Sequence, residues 1–123
     1  MQRILIVEDN DLSRDVLVRR LAKSGYDVRA AGDGRQGLAM VDVHRPDLIL
    51  MDLGLPEIDG WECIRRLRTT DHTRHIPIIA ITAHALVGDR EAALAAGCDD
   101  FDTKPIDFKG LLARMHRLLP AHV

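Results

Sequence analysis

The sequence predicts a doubly wound α/β domain in which five parallel strands alternate with five helices. Three observations carry that prediction. Ile4-Leu5-Ile6-Val7, Leu48-Ile49-Leu50-Met51 and Ile78-Ile79-Ala80-Ile81 are apolar runs of four, the pattern of strands buried on both faces of a parallel sheet. Other stretches carry apolar residues at helical spacing, as amphipathic helices do. The two kinds of segment alternate along the chain, which implies right-handed crossovers and helices on both faces of the sheet.

In chain order, the first strand is the run 4–7. The first helix places Leu12, Val16, Leu17 and Leu21 on one side and ends at Ser24-Gly25, a C-cap pair. Residues 26–31 form a weaker strand and 34–45 the second helix. The third strand, 48–51, leads to a helix over 61–70. The fourth, 78–81, leads to a helix over 85–96, and 99–103 is a weaker fifth strand. The last helix is the clearest, with Phe108, Leu111, Leu112, Met115, Leu118 and Leu119 on one face and Asp107 as N-cap.

The chain has 123 residues, 46% apolar and 29% charged, with a net charge of −2. That is room for one domain, 1–123, and little else. With four aromatic residues (Tyr26, Trp61, Phe101 and Phe108), the core must be mostly aliphatic. A pI near 6.3 argues against general nucleic-acid binding. No apolar run approaches the ~20 residues of a membrane span, and the apolar run after Met1-Gln2-Arg3 is too short for a signal peptide. Cys63 and Cys98 stand 35 residues apart with no CxxC, which gives no metal or redox framework. These features together predict a cytoplasmic protein.

In open α/β sheets, chemistry sits at the carboxyl ends of the strands. Here those ends carry Glu8-Asp9, Asp52, Thr82-Ala83 and Lys104-Pro105. Two like charges ~4 Å apart repel by roughly 4 kcal/mol at an effective dielectric of 20, so three clustered carboxylates and one lysine need a further cation. A hard divalent ion such as Mg²⁺ answers that need with oxygen ligands. An acidic Mg²⁺ nest beside a lysine and a threonine hydroxyl suits a phosphoryl group.

With these residues in place, the chain resembles the receiver domains of two-component response regulators, the CheY-like family, over essentially its whole length. The matching stretches are Ile4-Leu5-Ile6-Val7-Glu8-Asp9-Asn10, Arg45-Pro46-Asp47 through Asp52, Leu55-Pro56-Glu57-Ile58-Asp59-Gly60, Ile76-Pro77 through Thr82-Ala83, and Gly97-Cys98 to Thr103-Lys104-Pro105. Gly88-Asp89 and Gly97-Cys98-Asp99 are similar to the stand-alone DivK-like type. The resemblance implies strand order 2-1-3-4-5, with Asp52 accepting a phosphoryl group from a phosphohistidine of a sensor kinase or phosphotransfer protein. It implies Mg²⁺ on Glu8, Asp9, Asp52 and the Gly54 carbonyl. Lys104, the Thr82 hydroxyl and the Ala83 amide would meet the phosphoryl oxygens. Drawing Thr82 inward would vacate space for Phe101 and couple the site to the face of the fourth helix, fifth strand and fifth helix, where a downstream protein would bind. Lys104-Pro105 is a candidate cis peptide. Phe101 stands where many relatives have tyrosine, so no phenolic hydroxyl is available to the switch. Gly54 and His84, each two residues past a site residue, flank the phosphoryl position and bear on its lifetime.

Other readings are weaker. Gly32-Asp33-Gly34-Arg35-Gln36-Gly37 matches GxGxxG, with Glu57 20 residues past Gly37, but it follows the second strand, a sheet edge rather than the switch point. Asp9-Asn10-Asp11-Leu12-Ser13 reads DxDxS, as in an aspartyl-phosphate hydrolase. That reading puts Asp99-Asp100 before the lysine rather than after it and leaves Asp52 without a role. His72-Thr73-Arg74-His75 lacks the second ligand pair that zinc needs. Arg65, Arg66 and Arg68 read as a solvated face, the cysteines as packed small residues, and Trp61 as packing over the Asp52 loop. The complete set Glu8, Asp9, Asp52, Thr82 and Lys104 argues against a pseudo-receiver that works without phosphorylation. The Met1 start and short tail suggest a stand-alone protein, not a receiver cut from a hybrid kinase.

Overall fold

The computed structural model describes residues 1–83 and 86–119. Five strands, β1 (Arg3–Val7), β2 (Asp27–Ala31), β3 (Leu48–Asp52), β4 (Ile78–Thr82) and β5 (Asp100–Thr103), alternate with five helices. These are α1 (Asp11–Lys23), α2 (Gly34–His44), α3 (Gly60–Arg68), α4 (Asp89–Ala96) and α5 (Phe108–Leu118). The strands form one parallel sheet in the order β2-β1-β3-β4-β5.

Alternate strand residues feed two cores. Leu5, Val7, Ile49, Met51, Ile78 and Ala80 face α2, α3 and α4. Ile4, Ile6, Leu48, Leu50, Ile79 and Ile81 face α1 and α5, where Leu21, Leu111 and Met115 are fully buried. The three apolar runs are therefore strands with both faces covered, which is why they do not alternate with polar residues.

Several boundaries move. β3 and β4 each run one residue further than the apolar pattern, taking in Asp52 and Thr82. α2 stops at His44 because Arg45 turns left-handed, at φ 52°. The expected helix over 85–96 begins only at Asp89, after Gly88 at φ 93°; Ala85 and His84 lie outside the described residues. Asp107 is the N-cap of α5, but its side chain makes no capping bond. On α1 the expected apolar face is only half buried: Leu17 and Leu21 are in the core, whereas Leu12 and Val16 are 73% and 43% exposed. The two exposed residues belong to the first turns of α1 and line a groove with Pro105 and Ile106. That groove lies beyond the carboxyl ends of the strands, where the sheet offers no surface to cover them.

The GxGxxG stretch is used for packing. A Cβ on Gly34 would stand 2.4 Å from the Ile58 carbonyl oxygen and one on Gly37 2.8 Å from Val7 Cγ2, so α2 lies directly against β1 and the loop after β3.

Candidate functional site

The carboxyl ends of β1, β3, β4 and β5 meet in a cleft of about 470 Å³. Its walls are Asp9, Asn10 and Asp11 after β1, Asp52 and Gly54 at the end of β3, Thr82 and Ala83 at the end of β4, and Lys104 after β5. A cleft of equal volume at the opposite end of the sheet, between Asp42, Arg45 and His72, holds no comparable cluster. Among the described residues, Glu8, Asp9 and Asp52 are the group whose acidic oxygens all lie within 4.8 Å of one another.

The loop after β3 is held rigidly. A Cβ on Gly60 would lie 2.2 Å from the Asp52 carbonyl oxygen, so only glycine lets α3 start against the backbone of the strand end. Asp59 caps α3 through the Glu62 amide at 2.9 Å. Between them Glu57 adopts a left-handed φ of 61°. This loop places the Gly54 amide 2.9 Å from Asp52 Oδ1. Lys104 Nζ reaches Asp52 Oδ2 at 3.2 Å and also pairs with Glu8 Oε1. Glu8 Oε2 accepts from the Asn10 amide at 3.1 Å. Glu8, Asp52 and Thr82 are buried and Asp9 is exposed, so one carboxylate of the trio stands open to water.

These contacts divide the titration of the acids. Burial, and then the neighbouring Asp52 carboxylate, push Glu8 above its ordinary value, against Lys104 and the Asn10 amide. Burial also pushes Asp52 up, but its hydrogen bonds with Glu8, Gly54 and Lys104 outweigh it, and Asp52 falls below its ordinary value. Lys104 is raised: burial opposes its charge, and Glu8 and Asp52 more than offset that cost. The buried cluster is therefore short of positive charge. A set of hard carboxylate oxygens, one of them solvent-facing, fits Mg²⁺, which keeps several waters and takes one or two carboxylates.

The remaining predicted positions are more varied. The Lys104-Pro105 peptide is cis. Ala83 and Pro105 are exposed, as is Gly54. Phe101 is buried in the core with Ala80, Ala93 and Cys98. β5 pairs it with Ala80, whose small side chain leaves the ring room. Two further residues support the site. Asn10 both caps α1 through the Ser13 amide and holds Glu8, and the Arg14 guanidinium donates to the Glu8 carbonyl at 2.9 Å. An Asn directly before an apolar helical pattern is a recognisable N-cap; nothing local marks Arg14.

His72 hydrogen-bonds Asp42 at 2.8 Å on the surface. Trp61 is half-buried against the core on the α2, α3 and α4 side. Burial pushes both thiols up to about 11, as expected of packed, unreactive cysteines. Arg65 and Arg66 pair with Glu62 on the surface, but Arg68 does not belong to a solvated face. Its guanidinium bonds the Gly97 and Ile76 carbonyls and the Asp99 carboxylate.

Comparison with known proteins decides the family: residues 4–116 match the response regulator receiver domain. The chain belongs to the response regulator receiver family. Its relatives include the polar-differentiation response regulator DivK of Brucella anthropi, 43% identical over 103 residues, which are 84% of each chain. Chemotaxis protein CheY4 of Vibrio cholerae has the same fold, with TM-score 0.90 at 28% identity over 97% of this chain and 99% of that one. The receiver domain of sensor histidine kinase PA1611 from Pseudomonas aeruginosa superimposes with TM-score 0.87 at 41% identity, covering 95% of this chain and 96% of that one. That structure has a magnesium ion coordinated in its active site cleft. The receiver domain spans about half the length of other curated relatives at 40–43% identity. Among the described residues, no helix is long and apolar enough to cross a membrane.

Proposed function

We propose that this receiver accepts a phosphoryl group on Asp52 from a phosphohistidine of a sensor kinase or phosphotransfer protein, and passes the signal on through a protein-binding surface in the cytoplasm. The observation that carries the reading is Asp52 itself. It is a buried carboxylate kept ionised beside two further acids, with an ammonium on one oxygen and a backbone amide on the other.

In the transfer, an Asp52 carboxylate oxygen forms a bond to phosphorus as the phosphorus–nitrogen bond of the phosphohistidine breaks. The bonding electron pair leaves with the imidazole nitrogen. Glu8, Asp9, Asp52 and the Gly54 carbonyl would hold Mg²⁺, which, when bound, neutralises charge on the phosphoryl oxygens. Lys104 lies on Asp52 Oδ2 and is the nearest cation to the new group. The Thr82 hydroxyl and Ala83 amide, at the mouth of β4, would donate to its oxygens. The receiver thereby assists its own phosphorylation and dephosphorylation, with Gly54 and His84 bearing on how water reaches the acyl phosphate.

The product adds roughly −1.5 to −2 charges and three acceptor oxygens, which draw on Lys104 and Thr82. Both lead to the α4–β5–α5 face, Thr82 through β4 beside β5 and Lys104 as the residue after β5. On that face Asp100 is buried among Arg90, Arg114 and Arg117, and Leu86, Val87 and Leu94 are exposed. We assign it to the downstream protein. Thr82 drawn inward would vacate space for Phe101 and so couple the site to this face.

Acetyl phosphate and Mg²⁺ should add one hydroxylamine-labile phosphoryl group to the wild type and none to Asp52→Asn, read by intact mass. Equal labelling of both would remove Asp52 from the mechanism. Labelling of neither would favour a module that binds without phosphorylation.

A further inference from the structure

We propose that Arg14 is a positioning residue for the metal-binding loop: clamped between the Glu8 carbonyl and the Asp11 carboxylate, its guanidinium fixes the backbone from which Glu8 and Asp9 present their carboxylates. The proposal rests on the reading of Glu8, Asp9 and Asp52 as magnesium ligands.

The two loops that supply those ligands are held by different means. The loop after β3 is locked by close approach, with Gly60 against the Asp52 backbone. The loop after β1 has no such packing. The Glu8 amide keeps one sheet bond, to the Ala31 carbonyl at 3.0 Å. Its carbonyl is taken by Arg14 Nη1 at 2.9 Å, while Nη2 reaches Asp11 Oδ1. The Arg14 backbone amide adds a bond to the Asn10 carbonyl at 2.9 Å. One residue of α1 therefore touches the chain on both sides of Asp9.

The Asp11 contact alone would be worth little, because that side chain is 92% exposed and exposed ion pairs contribute little. The part-buried bond to the Glu8 carbonyl is the one that constrains the loop. Gly32 leaves the space for it: a Cβ there would lie 3.4 Å from Arg14 Nη1, so the guanidinium lies against the turn between β2 and α2. Residues that orient metal ligands from outside the coordination shell change metal affinity by about 10–100-fold when removed.

Charge and positioning predict opposite signs for the same substitution. Arg14→Met removes a cation from beside a divalent-cation site, so charge alone predicts tighter Mg²⁺ binding. Positioning predicts weaker binding, by about tenfold at the lower end of that range. The experiment titrates Mg²⁺ calorimetrically into wild type, Arg14→Met, Arg14→Lys and Arg20→Ala. It also follows amide exchange at Asp9 and Asn10 by NMR in the metal-free proteins.

The expected result is weaker Mg²⁺ binding and faster exchange in Arg14→Met, with partial recovery in Arg14→Lys, which keeps one donor. Arg20→Ala, on the same helix as Arg14, loses a cation–π contact over Phe108 of α5 and should bind Mg²⁺ as the wild type does. Binding in folded Arg14→Met that equals or exceeds wild type overturns the proposal. Should that variant not fold, unchanged exchange at Asp9 and Asn10 in Arg14→Lys overturns it. Absence of Mg²⁺ binding by the wild type would instead remove the metal reading, with the exchange measurement still deciding whether Arg14 holds the loop.

Discussion

The two ends of the sheet treat charge in opposite ways. At the amino ends of β4 and β5, Arg68 donates Nε to the Gly97 carbonyl at 2.6 Å, Nη1 to the Ile76 carbonyl at 2.7 Å and Nη2 to Asp99 Oδ2 at 2.7 Å. The same Asp99 oxygen accepts the Ile78 amide at 2.8 Å. One guanidinium and one carboxylate balance, and α3, β4 and the turn before β5 are tied together. At the carboxyl ends, three acids cluster and the one lysine among them pairs with two, Glu8 is driven above its ordinary value, and the loop after β3 contains a left-handed Glu57. The contrast teaches where this fold keeps its stability and where it holds an unmet demand for a cation. Such a demand is an opportunity for binding and a cost when nothing is bound.

The largest effect should come from breaking the balanced end. Arg68→Ala strips several charge-assisted bonds from a largely buried guanidinium and should destabilise the domain by about 3 kcal/mol, read by urea denaturation. Mg²⁺ affinity should stay within twofold of wild type, roughly 0.4 kcal/mol or less; a larger change would mean that the two ends are coupled. Next in size, Mg²⁺ at 100 times its dissociation constant should raise wild-type stability by roughly 2.7 kcal/mol. Asp9→Asn should lose most of that gain without losing its fold, because Asp9 is exposed.

A smaller effect should appear in the pH dependence of the metal-free protein in a chelator. Glu8 is raised above 4.5, so the folded state holds a proton that the unfolded chain releases, and stability should rise as pH falls from neutral through that window. Asp52 lies below its ordinary 3.8, so its contribution is present above that value and lost as pH falls through the folded one. Lys104 is raised above 10.5; its contribution is complete below that value and is lost as pH rises through the folded one. Glu8→Gln should abolish the acidic rise. A monotonic fall of wild-type stability from neutral to acid would show instead that the cluster is already balanced without a metal. The smallest effect belongs to the loop: Glu57→Gly relieves a left-handed φ and should stabilise by about 0.5–1 kcal/mol, net of the glycine's greater chain entropy.

Much of this contrast was legible residue by residue. The apolar runs located three strands, and the acids that follow them located the site. The arginines show where legibility stops. Arg65, Arg66 and Arg68 look alike in the sequence, yet only Arg68 is folded inward, because the turn of α3 that carries it passes Gly97 and Asp99, 29 and 31 residues further on. Leu12 and Val16 have the spacing of buried residues but stand past the end of the sheet. Phe101 is buried on β5, where its strand partner is the small Ala80.

Strand positions and the acids that end them were determined by the sequence alone, since hydrophobic periodicity and distance from a strand end are local properties. Which carboxylate is buried, which stays open to water, which oxygen Lys104 takes and which carbonyl Arg14 holds were decided only by the tertiary structure. Those properties depend on distances between elements tens of residues apart, and burial and Coulomb energies change steeply over a few ångströms.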